Sequence, residues 1–60
     1  MTPKELLYLE DSLSMEQQLQ TKCTDYASKI QDTALKSTLT QLATQHEQHF
    51  NSLLTQLNKQ

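Results

Sequence analysis

No glycine occurs anywhere in the chain, and its single proline stands at position 3. Beyond Lys4 the backbone therefore contains neither the residue that readily takes positive φ nor the one that breaks a helix. Tight β-hairpins draw their turns from Gly, Asn-Gly or Asp-Gly, so a sheet has little to fold on here. The remaining residues favour helix: eleven Leu and nine Gln in sixty, no Val, and Ile30 as the one β-branched aliphatic residue. The expected class is all-α.

Two start signals divide the chain. Thr2-Pro3-Lys4-Glu5 reads as a capping box, with Thr2 as N-cap, Pro3 at the first helical position and Glu5 at the third. Asp32 is a good N-cap for a second helix, because its carboxylate accepts from exposed N–H groups and faces the positive helix end. Helix 1 is expected over about 3–30, a turn over about 31–33 and helix 2 over about 33–58. Each is roughly 25 residues, or about 38 Å long. So short a connection joins antiparallel neighbours, making one helical hairpin of residues 1–60.

Sixty residues with one cysteine give neither a large core nor an internal disulfide. At about 100° per residue, helix 1 gathers Leu6, Leu9, Leu13, Leu19, Cys23, Ala27 and Ile30 on one side, widened by Tyr8, Met15 and Tyr26. Helix 2 aligns Leu35, Leu39, Leu42, Leu53 and Leu57, with Phe50, Leu54 and Ala43 on one flank. A hairpin needs only a narrow seam, and these faces are wide enough for two neighbours. The expected assembly is a homodimer, a four-helix bundle made through Leu9, Leu13, Leu19, Leu39, Leu42 and Leu53.

Charge and hydropathy narrow the partners. Five Lys, no Arg and seven acidic residues leave a net charge of −2 without a basic cluster, which argues against nucleic acid. No aliphatic run exceeds two residues, so no membrane span and no signal-peptide core is expected. A lone thiol, Cys23, fits a reducing, intracellular setting and reads as a small buried hydrophobe.

Three ionisable residues interrupt the apolar faces. Glu16 continues the spacing of Leu6, Leu9 and Leu13; His46 and His49 continue Leu35, Leu39 and Leu42. Folding about Gln31 and Asp32 brings Glu16 level with His49 and one turn from His46. Two imidazoles at i and i+3 plus a facing carboxylate form a candidate metal set, as bundles commonly build. A core hydrogen-bonded cluster, in which Glu16 or Gln20 satisfies a buried His, fits the same spacing. No catalytic residue and no phosphate-binding loop stands out, so no enzymatic activity is expected.

The pattern Glu10-Asp11-Ser12-Leu13-Ser14-Met15-Glu16, then Tyr26-Ala27, Leu39-x-x-Leu42 and Gln45-His46-Glu47-Gln48-His49-Phe50-x-x-Leu53 resembles the Coat F-like spore coat proteins. That family is similar to one half of a ferritin-like four-helix bundle. The resemblance implies that Glu16 matches the first metal-binding Glu and His49 the His of a Glu-x-x-His pair. His46 stands where the second Glu belongs, so a carboxylate-rich di-iron centre is not implied. An imidazole-rich set suits Zn, Ni or Cu better. The function expected is that of a non-enzymatic structural or assembly protein, localised to the spore coat if the resemblance holds, with other coat or helical proteins as further partners. A small metal-binding protein using Glu16, His46 and His49 is the first alternative. A helical adaptor for another protein is the second.

Overall fold

The structure, a computed structural model, describes residues 1–59 and contains two helices, α1 (Pro3–Lys29) and α2 (Thr33–Asn58). Both start signals act as read from the sequence. The Thr2 N–H donates to Glu5 Oε1 at 2.9 Å, and the Glu5 N–H donates to Thr2 Oγ1 at 3.1 Å. At the second start the Leu35 N–H donates to Asp32 Oδ1 at 3.0 Å. Helix α1 stops one residue before the expected end. Ile30 turns extended, at φ −86° and ψ 141°, while its N–H still donates to the Tyr26 carbonyl. The connection is therefore Ile30-Gln31-Asp32, centred on Gln31.

Threonine-rich stretches are poor helix formers because the hydroxyl competes for backbone groups. Here Thr21, Thr38, Thr40, Thr44 and Thr55 each donate to the carbonyl four residues earlier, at 2.8–3.1 Å. The hydroxyls are thus satisfied within the helix and need no tertiary partner.

The helices lie antiparallel along a body of 45 × 15 × 10 Å. A shallow apolar hollow at the open end is lined by Met1, Pro3 and Leu6 from one terminus and Leu57 from the other. From α1 to its C-cap, the buried or half-buried Leu6, Leu9, Leu13, Glu16, Gln20, Cys23, Ala27 and Ile30 alternate by three and four, with Leu19 half-buried beside Gln20. In α2 the matching series is Leu39, Ala43, His46, Phe50, Leu53 and Leu57. This is a coiled-coil seam, with a period of about 3.5 rather than 3.6 residues.

That period corrects the sequence reading of helix 2. Phe50 and Ala43 belong to the seam, whereas Leu35 and Leu42 fall at its edge and are exposed. Leu9, Leu13, Leu39 and Leu53 lie half-buried on the seam between the two helices. A count at 100° per residue merges seam and flank over 26 residues, because it drifts about 20° per heptad from a 3.5-residue repeat.

Burial inside the hairpin is slight. Among the described residues Ala27, at 8% exposure, is the one buried hydrophobic residue, while Met15 remains 60% exposed. The chain's accessible surface is 4683 Å². A compact monomer of its mass exposes about 4,000 Å². Among the described residues no helix is long and apolar enough to cross a membrane.

Candidate functional site

Midway along the seam the alternation of apolar side chains is broken on both helices at one level. Glu16 stands between Leu13 and Gln20 on α1, and His46 between Ala43 and Phe50 on α2. Their side chains are 20% and 21% exposed, and His46 Nδ1 lies 2.7 Å from Glu16 Oε2. An ionised carboxylate can only accept, so Nδ1 carries the hydrogen and donates it to Glu16.

His49 approaches the same oxygen from the rim. Its Nδ1 is 3.5 Å from Glu16 Oε2, and its side chain is 61% exposed. The two imidazoles meet edge to face, with centroids 6.0 Å apart and planes at 79°. One ligand atom from each of Glu16, His46 and His49 lies within 4.8 Å of the others.

The structure thus brings together all three residues singled out from spacing. It reverses their order of approach: the short contact is to His46, and His49 is the outer partner. With the connection centred on Gln31, Glu16 lies level with His46. Nothing in the local sequence around Ile30 announces that centre. Cys23 lies half-buried on the seam, two turns from Glu16, and Glu47 and Asp11 are exposed, as their spacing predicts.

Electrostatics follow from these contacts. The hydrogen bond from His46 is the main reason that the Glu16 carboxyl is held below its ordinary value of 4.5. Partial burial opposes this, and the charges on His46 and His49, when protonated, reinforce it. Among the described residues no buried side-chain nitrogen or oxygen lacks a partner. The cluster is a satisfied polar layer in an apolar seam, and its donor set of two imidazoles and one carboxylate is chemically suited to a divalent metal.

No family model, no curated protein and no solved structure matches this chain. Three ionisable side chains at one level, two of them in the seam, distinguish this hairpin from a plain apolar coiled coil.

Proposed function

We propose that the chain is a non-enzymatic assembly protein that works as a dimeric four-helix bundle, each hairpin supplying half. The observation that carries this reading is the surface left uncovered. Met1, Leu7, Tyr8, Met15, Tyr26, Leu35 and Leu42 all stay exposed in a hairpin whose seam, among the described residues, buries Ala27 alone. The excess over a compact monomer is roughly 700 Å², close to the area of about 800 Å² that each partner buries in a standard interface. The resemblance to Coat F-like spore coat proteins agrees with a structural role, and on that reading the dimer is a building unit of a protein layer. Sedimentation velocity tests the reading directly. A species of twice the 6.9 kDa chain mass at tens of micromolar is expected, and a cooperatively folded monomer at that concentration overturns it.

A second reading has its own observation, the convergence of Glu16, His46 and His49 within 4.8 Å. In it the three residues hold one Zn²⁺ or a similar divalent ion, with water completing the shell. A 2.7 Å separation is shorter than ligands of one tetrahedral ion allow. The bridging proton must leave Nδ1, and the pair must open by about half an ångström, given zinc–ligand bonds of about 2.0 Å. Zinc titration against a chromophoric chelator tests it. One equivalent should bind, weakened at least about tenfold by His49→Ala and unaffected by Cys23→Ser. Equal affinity in wild type and in His46→Ala/His49→Ala removes the reading.

A further inference from the structure

The seam alternation fixes which side of the hairpin is apolar. On α1 the positions just before Leu13, Gln20 and Ala27 are Ser12, Leu19 and Tyr26; on α2 those just before Ala43, Phe50 and Leu57 are Leu42, His49 and Gln56. Leu35 lies one heptad before Leu42. In antiparallel helices these equivalent flanks share one side of the pair, since reversing a helix also reverses the sense in which its positions are read. The next positions outward on that side of α1 are Tyr8, Met15, Lys22 and Lys29. The opposite side carries Ser14, Gln17, Thr21, Thr24, Thr40 and Thr44, with Leu7 and Leu54 as its apolar exceptions. The hairpin is two-faced.

On the apolar side α1 carries a second stripe with a symmetry of its own. Positions 8 and 26, 15 and 19, 12 and 22, and 5 and 29 are each centred on the level of residue 17. Pairing by a two-fold axis at that level is therefore self-complementary. It sets Tyr8 against the partner's Tyr26, Met15 against the partner's Leu19, and Glu5 against the partner's Lys29. A parallel pairing would instead put Lys22 beside Lys22 and Lys29 beside Lys29, which repel.

Resting on the assembly reading above, we infer that the occupant of this face is a second copy of the chain, docked with its α1 antiparallel to the first about the level between Met15 and Leu19. Two observations support that occupant: the self-complementary spacing of the exposed Tyr8, Met15 and Tyr26, and the opposite charges at the two ends, where Lys29 also pairs with Asp25 of its own helix at 3.0 Å and Glu5 also caps its own. Leu42 and Leu35, on α2 beside Leu19 and Tyr26, extend the same contact.

Engineered disulfides in a Cys23→Ser background test the arrangement. A chain with Tyr8→Cys mixed with a chain carrying Tyr26→Cys should give mainly the mixed disulfide dimer under mild oxidation. Leu7→Cys, on the other side, should give little. Met15→Glu, at an exposed position, should keep the helical circular dichroism signal and lower self-association by at least tenfold. Dominant Tyr8–Tyr8 cross-linking, or a dimer indifferent to Met15→Glu, overturns the inference while leaving the dimer reading standing. A wild-type chain that sediments as a monomer removes both.

Discussion

His46 Nδ1 lies 2.7 Å from Glu16 Oε2, across thirty residues of sequence. This contact ties the middle of α1 to the middle of α2. Sliding either helix by one heptad would set Glu16 against Leu39 or Leu53 and leave a carboxylate unpaired in an apolar seam. Leucine seams tolerate such slips, because one Leu layer resembles the next. A polar layer specifies the register that apolar packing leaves open, at some cost in stability.

Acid should weaken the hairpin through Glu16. Its carboxyl titrates lower in the folded chain than its ordinary 4.5. The stabilisation is therefore present above that value and is lost as pH falls through the lowered folded one. Thermal melts followed by circular dichroism at pH 6, 5, 4 and 3 should show the wild-type Tm falling below about pH 4.5. Glu16→Gln should fall less over the same range. Parallel curves for the two proteins would mean that the His46 contact does not form in solution.

Seam and edge leucines should respond differently. Leu13→Ala removes a half-buried seam residue and should cost about 1–3 kcal/mol at any protein concentration. Leu42 is 38% exposed in the hairpin, so Leu42→Ala should cost under about 1 kcal/mol in dilute solution. Its penalty should grow as concentration rises and dimers form, because folding and association are linked. Denaturant titrations at two concentrations separate the cases, and equal penalties for both variants would contradict the seam assignment.

Ala27, with its small side chain, is buried on α1 two residues before the helix ends. Ala27→Leu should overpack that end and cost roughly 1–3 kcal/mol. Ala27→Ser, nearly the same size, should cost clearly less in the same urea titration. A stabilised Ala27→Leu protein would show that the turn end has room to spare.

The second helix depends on its cap. Asp32 accepts from the Leu35 N–H at 3.0 Å, and Asp32→Ala should cost about 0.5–2 kcal/mol. Asp32→Asn and Asp32→Ser keep an acceptor and should retain most of the stability. Chemical denaturation of the three variants side by side checks this, and equal losses in all three would assign the effect to charge rather than to the cap.

The sequence by itself determined the helices, their starts and the hairpin. Local chemistry decides those features: no glycine, one proline at the first helical position, and Thr2 and Asp32 each bonding a nearby backbone N–H. It also placed His46 and His49 side by side on one face of α2, because residues three apart on a helix are neighbours; that Glu16 meets them required the register of the folded hairpin. Tertiary structure alone decided which His makes the short contact to Glu16, which leucines are shared between the helices, and which side stays apolar and uncovered. Those outcomes depend on where α1 ends and on the 3.5-residue period that two packed helices adopt.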